Sequence, residues 1–319
     1  MKHIIINEYG LFLGLKYNRL IIKKQSETIN EIALNRIKTI QILSKGVTIS
    51  SDLIIACSSR GIKIFFNRFN SYSATHSLYE HKSVIVRDNQ FNVCKSKKGL
   101  ELARAIIIGK LKNQRATLLY SSRNIKSPLK QEIITLFDKS ILKLKNKKDI
   151  SKEFILGIEG LCANNYFEYL KNMNLLPSHF EYRTKRYSKD LTNISLNYGY
   201  AILQNFIYKS CINAGLEPYM GVLHSIRSSK PSLVLDIMEE YRSFVVDRNI
   251  IKLRSKLQNA KKFETVKNDV AKNILTTLTK KYKYNHKKIT LESIIQRQIY
   301  KISGYFSGNH KYKSYIFRW

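Results

Sequence analysis

The feature that most constrains this chain is a change of hydrophobic period near residue 90. Before it, apolar residues come in short runs broken by turn formers: His3 to Ile6, Leu11 to Lys16, Leu20 to Lys24 and Arg36 to Leu43. Tyr17-Asn18-Arg19 reads as a hairpin turn, and Ile37, Ile40 and Ile42 give a partly alternating strand. Ser51-Asp52 cap a short predicted helix through Cys57 that ends at Gly61, and Ile62 to Phe66 is a further strand. From about Lys95 the spacing turns helical, with Ala103, Ile106, Ile107, Lys110, Leu111, Gln114 and Leu118 in one segment and Phe154, Ile155, Ile158, Leu161 and Cys162 in another. Of four prolines (128, 177, 218 and 231), three fall between apparent helices. The expected fold is α+β: a β-rich N-terminal domain over residues 1–90, then a larger all-α domain over residues 91–319.

Charge is the second constraint. The 319 residues carry 56 Lys and Arg against 23 Asp and Glu, a net +33. Such an excess repels itself in a folded globule and points to a polyanionic partner, nucleic acid first. An AT-rich coding bias that favours lysine is the plainer alternative. The stretch Ile251 to Trp319 alone holds 17 Lys and Arg against Glu264, Asp269 and Glu292, with tyrosines interleaved at 282, 284, 300, 305, 312 and 315. Basic groups with stackable rings suit a phosphate backbone and frayed bases; a solvated helix face followed by a core-packed aromatic end suits the same residues.

Several classes drop out. Cys57, Cys94, Cys162 and Cys211 lie far apart, which argues against a zinc knuckle, an iron–sulfur site or a disulfide scaffold and suits a reducing cytoplasm. The apolar part of the N-terminus is too short for a signal peptide. The longest uncharged run, Leu191 to Tyr208, holds Thr, Asn, Ser, Gln and Gly and is no membrane span. No phosphate loop, dinucleotide fingerprint or His-Glu-x-x-His motif is present.

In a chain short of acids, a carboxylate inside an apolar run is informative. Asp236 and Glu239 lie three apart in Leu233-Val234-Leu235-Asp236-Ile237-Met238-Glu239-Glu240-Tyr241, a helix well started by Pro231 and Ser232. A desolvated pair of carboxylates needs a cation to stay charged, which is either a metal ion or one of the many Lys and Arg side chains. Glu159 sits on a predicted helix among Ile155, Cys162, Ala163 and Tyr166, flanked by Gly157 and Gly160, whose cost in helix propensity close packing would justify. His224 follows Pro218 at a helix–loop junction, where a hydrogen-bonded core histidine is the commoner outcome. Two carboxylates with one imidazole suit Mg²⁺ or Mn²⁺.

These residues resemble a known family. Glu159-Gly160 with Ala163 and Tyr166-Phe167, then Leu196-Asn197-Tyr198-Gly199-Tyr200, then Gly215-Leu216-Glu217-Pro218-Tyr219 leading to Leu223-His224, then Pro231-Ser232-Leu233 leading to Asp236 and Glu239-Glu240, occur in the order seen in the CRISPR-associated integrase, Cas-one. Lys110, Asn113 and Gln114 are similar to a helix of that family, Asp247-Arg248 to its Asp-Arg dipeptide, and Phe317-Arg318-Trp319 to the ending of some members. The chain departs from the pattern at His224-Ser225-Ile226-Arg227, where the family often has an acid two residues after the histidine.

The resemblance implies an endonuclease and integrase that inserts short DNA spacers into a CRISPR repeat array by 3′-hydroxyl transesterification. It implies a divalent metal on Glu159, His224 and Glu239, with Asp236 as the neighbouring acid. It also implies dimerisation through the N-terminal domain, assembly of the homodimer with the small partner Cas-two, and contacts with double-stranded DNA (protospacer and repeat). Lys110, Arg183, Arg186, Lys189 and Arg248 are the candidate phosphate contacts. The rival readings are a metal-dependent nuclease for branched DNA and a non-catalytic nucleic-acid scaffold.

Overall fold

In the computed structural model, which describes residues 2–68, 71–74, 83–185, 188–227, 230–309 and 311–317, the chain divides into two units, Met1–Val86 and Arg87–Trp319. The first contains β1 (Lys2–Ile6), β2 (Leu11–Lys16), β3 (Arg19–Lys24), β4 (Glu27–Ala33), β5 (Ile37–Ile42), β6 (Thr48–Ile49), α1 (Ser51–Ser59), β7 (Lys63–Arg68) and β8 (Ser71–Ala74). They make two four-stranded sheets, in the orders β1-β5-β7-β8 and β4-β3-β2-β6. The parallel centre of the first sheet aligns Ile4 with Ile40 and Ile40 with Ile64. Ile40 and Ile64 are wholly buried in a core shared with Leu13, Leu20, Leu53 and Cys57.

Two hairpins build the second sheet, and the sequence exposed one of them. The loop Tyr17-Asn18 has both residues at positive φ, as does Gln25-Ser26, the conformation whose twist matches two-residue connections between antiparallel strands. Tyr17-Asn18 was expected as a turn. Gln25-Ser26 was not, because its only turn signal is the weak one of a single serine and β4 is polar and almost wholly exposed, without the alternation of a half-buried strand. The cap of α1 lies one residue earlier than expected: Ser50 Oγ accepts from the Leu53 N–H at 3.3 Å.

The second unit holds most of α2 (Val84–Cys94), from Arg87 onward, then α3 (Lys97–Ser121), α4 (Pro128–Asn146), α5 (Lys152–Asn172), α6 (Leu191–Asn213), α7 (Ser232–Met238), α8 (Arg248–Lys252), α9 (Arg254–Asn259), α10 (Glu264–Thr279) and α11 (Leu291–Phe306). Helix α3 is its axle, packing against α4, α5, α7 and α8. Pro128 sits in the first turn of α4, where its fixed φ suits a helix start.

The unit is not all-helical as expected. An antiparallel ribbon, β9 (Lys281–Tyr284) with β10 (Lys287–Thr290), lies between α10 and α11. Its cause is the alternation Lys281-Tyr282-Lys283-Tyr284, which turns one face inward every second residue. Tyr282 meets Phe244 edge-on at 5.2 Å, and Tyr284 and Tyr312 are buried. Those rings serve the core, while Lys281, Lys283, Lys287 and Lys288 stay exposed. Among the described residues, no helix is long and apolar enough to cross a membrane.

Residues 311–317 cross α3 as a strap. Ser314 Oγ donates to the Ala105 carbonyl at 2.8 Å and passes so close to Gly109 that a Cβ there would collide with it. Asn113 donates to the Tyr315 carbonyl at 3.0 Å and accepts the Phe317 N–H at 3.1 Å. Phe317 stacks on Phe244 with ring centroids 3.5 Å apart.

Candidate active site

The predicted acidic helix is not regular. The backbone N–H groups of Glu239, Glu240 and Tyr241 bond three residues back, to Asp236, Ile237 and Met238, and a π-helical segment, Arg242–Asp247, follows before α8 resumes. A tightened turn followed by a widened one re-aims side chains, and such irregularities recur at functional sites. Here it sends two successive acids apart. Glu239 points to Lys110 and Arg242. Glu240 is buried against Tyr312, whose hydroxyl donates to its carboxyl oxygens at 2.7 and 2.9 Å.

Glu239 and Glu159 meet on one lysine. Lys110 Nζ is ion-paired to Glu159 Oε1 and to Glu239 Oε2 at 2.7 Å, and Arg242 Nε lies 3.1 Å from Glu239 Oε1. Burial opposes charge on Glu239, but the Arg242 and Lys110 cations override it and hold the carboxyl down at about 2. Burial likewise pulls the Lys110 ammonium down, and the Glu239 and Glu159 carboxylates more than reverse this, leaving it raised. The cluster is therefore an acid–base–acid bridge across α3, α5 and the end of α7. Gly157 and Gly160 do not pack closely: a Cβ at either would meet nothing within 4 Å.

His224 arrives by a different route. The Gln90 side chain donates to the Glu217 and Met220 carbonyls at 2.9 and 2.7 Å and accepts the Glu217 N–H at 2.8 Å. Gly221 passes so close to Ser232 and Asp236 that a Cβ would lie 2.7 Å from the Ser232 carbonyl carbon, and its N–H donates to Ser232 Oγ at 2.9 Å. Asp236, fully buried, accepts the N–H groups of Val222, Leu223 and His224 at 2.6, 2.9 and 2.9 Å. Its Oδ1 also lies 2.6 Å from His224 Nδ1. A carboxylate can only accept there, so Nδ1 carries a hydrogen, and Nε2 is the ring nitrogen not engaged by Asp236.

The candidate phosphate contacts divide. Lys110 is buried and committed to the two acids. Arg183 is turned inward, donating to Asn193 Oδ1 at 2.8 Å and Asn197 Oδ1 at 2.6 Å, with its guanidinium 5.3 Å from the Tyr200 ring. Arg248 lies between the rings of Tyr120 and Phe244, at 5.1 and 5.2 Å. Lys189 is exposed. Arg186 is outside the described residues. Two cations that sequence reasoning missed stand near the acids. Arg242 was detectable as the basic residue three after Glu239. Lys185 feels the charges of Arg242, Glu239, Glu159 and Lys110, and no local pattern marks it.

The donor set fits a hard divalent ion. Two carboxylates and an imidazole whose other nitrogen is held by a second acid match the usual construction of such sites. Among the described residues, no three His, Cys, Asp or Glu side chains form a group that would hold a metal as they stand; the Lys110 ammonium takes the cation's place between Glu159 and Glu239.

The family model for CRISPR associated protein Cas1 matches residues 4–286. The chain belongs to the Cas1 family. A CRISPR-associated endonuclease Cas1 of Francisella tularensis subsp. novicida is 44% identical to it over 100% of both chains. A Cas1 endonuclease of Archaeoglobus fulgidus is 28% identical over 99% of both. Among solved structures, a Cas1 protein from Thermotoga maritima superposes with a TM-score of 0.70 at 20% identity, covering 98% of this chain and 100% of that one. A casposase bound to an integration product gives 0.73 at 22% identity, covering 98% of this chain and 93% of that one. The α+β architecture is thus the Cas1 fold.

Proposed function

We propose that this Cas1-family chain is a CRISPR adaptation integrase and endonuclease that joins the 3′-hydroxyl of short DNA to a phosphodiester of the repeat array. The observation that carries the reading is the convergence of Glu159 and Glu239, with His224 aimed by Asp236, in a strongly basic chain. Glu159, Glu239 and His224 Nε2 would hold Mg²⁺ or Mn²⁺. When bound, such an ion neutralises charge that builds on the phosphoryl oxygens during in-line attack. The chain's own groups do the rest: Asp236 keeps His224 in one tautomer, and Arg242 holds one oxygen of Glu239 whatever occupies the other side. Lys185 adds positive potential beside the acids. No protein nucleophile is needed. The donor 3′-oxygen forms the new P–O bond as the bond to the leaving 3′-oxygen breaks, and that oxygen takes up the proton.

The partners proposed are double-stranded DNA, a second copy of this chain through the N-terminal strands, and Cas2. Support for the second is the edge strand β4, with Ile29 52% exposed and backbone groups open to pairing. A solved Cas6-RT-Cas1–Cas2 complex shares the fold at TM-score 0.74 and 20% identity over 99% of this chain and 98% of that one.

The test is strand joining. A labelled donor ending in a 3′-hydroxyl should be joined to a supercoiled, repeat-bearing plasmid in Mg²⁺ or Mn²⁺. A dideoxy-ended donor should bind and fail to join. Joining of the dideoxy donor would overturn transesterification. Normal joining by Glu159→Gln would overturn the site and return the chain to a nucleic-acid scaffold.

A further inference from the structure

Lys110 is a buried lysine with its charged end between two carboxylates that come from separate elements. Its residue exposure is 5%, and its ammonium is ion-paired to Glu159 Oε1 and, at 2.7 Å, to Glu239 Oε2. The Glu239 carboxylate is buried and that of Glu159 half-buried, so the two repel at short range unless a cation lies between them. Without another cation, Lys110 is what permits that pair to exist. The same two acids belong to the set read above as metal-holding, and the present inference rests on that reading. An ammonium and a divalent ion cannot share the space between two carboxylates: they compete for the same oxygens and repel each other.

We propose that Lys110 is a displaceable internal cation, which holds Glu159 and Glu239 together in the metal-free chain and is driven out from between them when a divalent ion binds. Three features make the exchange feasible. Lysine carries its charge on a flexible four-carbon stem, so Nζ can swing without moving α3. The Glu159 end of the bridge is half-open to solvent, its side chain 23% exposed. Glu239 does not lose all support, since Arg242 Nε stays 3.1 Å from its other oxygen. The exchange makes metal affinity weaker than the bare acids would give, and it releases a positive charge at the site at the moment the metal arrives.

Two measurements on the full chain without DNA test this. In the first, lysines are labelled with an amine-reactive acylating reagent with and without MnCl2 and quantified by mass spectrometry. Labelling of Lys110 should be low without the ion and rise several-fold with it, while exposed lysines such as Lys189 stay constant. In the second, Mn²⁺ affinity is read from the free-ion paramagnetic resonance signal. Lys110→Met should bind roughly tenfold tighter or more, because a competitor is gone, whereas Lys110→Arg, which keeps the charge, should not bind tighter than wild type. If the Met variant does not fold, Lys110→Gln is measured in the same way. Wild-type binding with unchanged Lys110 labelling, or equal or weaker binding by the Met or Gln variant, would overturn the displacement and leave the metal reading intact. Absence of Mn²⁺ binding in every variant, or normal binding by Glu159→Gln, would overturn the metal reading itself.

Discussion

Asp236 accepts a hydrogen bond from His224 Nδ1 at 2.6 Å while its two oxygens also take three successive backbone N–H groups, those of Val222, Leu223 and His224. Its acceptor positions are thus spent inside the protein. That makes Asp236 a positioning residue, which fixes both the path of the loop and the face that His224 presents. Asp236→Asn would turn an amide N–H toward backbone donors and release the ring. We expect Mn²⁺ affinity to fall by roughly 10–100-fold and stability to drop by about 1–3 kcal/mol. Titration of the ion and a thermal melt check the two effects, and unchanged metal affinity would show that the ring needs no such support.

The two acids on Lys110 should respond differently to substitution. The Glu239 side chain is 7% exposed and faces two cations, whereas that of Glu159 is 23% exposed and faces one. Glu239→Gln takes a charged partner from both Lys110 and Arg242 and leaves Lys110 only the half-buried Glu159, at a cost of about 3–5 kcal/mol for a broken buried pair. Glu159→Gln leaves Lys110 paired with Glu239 and should cost much less. Both should abolish strand joining, but the clean assignment comes from Glu159→Gln, which should keep DNA binding and a near-normal melt. Equal loss of stability in the two variants would contradict this ranking.

Much of this arrangement was legible in the sequence, and the failures have physical causes. Glu159, His224, Asp236 and Glu239 stood out because each interrupts an apolar surface in a chain short of acids, and burial of polar groups leaves that trace. Lys110 occupies a core-facing position in the α3 pattern, yet a basic chain invites the reading that any lysine meets phosphate; its partners come from elements 49 and 129 residues away, a distance no local pattern spans. The π-helical turn was invisible because its residues are as apolar as those of a regular helix. The ribbon at Lys281–Thr290 was missed although its alternation is clear, since the tail was weighed by charge and not by period.

Glu240, next to Glu239 in sequence, looks from the sequence alone like a neutral comparison position on the same helix. It is not one. Its carboxyl is wholly buried, takes the single Tyr312 hydroxyl between its two oxygens and is pushed up to about 8 by burial, which the Tyr312 and Ser314 hydrogen bonds only partly offset. Glu240→Ala would leave Tyr312 without its acceptor and open a cavity, so a loss of roughly 2–4 kcal/mol is expected. Glu240→Gln keeps the volume and an acceptor, and should melt close to wild type at neutral pH. A melt of the two variants decides this, and equal melting of both would show that the Tyr312 contact carries little.

The last prediction concerns pH. Asp247 is buried under Tyr200, whose hydroxyl donates to Oδ1. Burial raises its carboxyl from 3.8 to about 6, against the opposing pull of the Tyr200 hydrogen bond and of the Arg183 and Arg242 cations. The folded chain therefore holds this proton more tightly than the unfolded chain does. The resulting stability is complete below pH 3.8, drains away as the pH rises to about 6, and stays lost above that. A shift of this size corresponds to something on the order of 3 kcal/mol. Asp247→Asn has no proton to lose and keeps an oxygen for Tyr200. Its melting temperature should thus gain on that of wild type steadily between about pH 4 and 6, then run parallel to it. Scanning calorimetry of both proteins across that window checks the sign, and a constant difference would mean that Asp247 is ionised in the folded chain from the start.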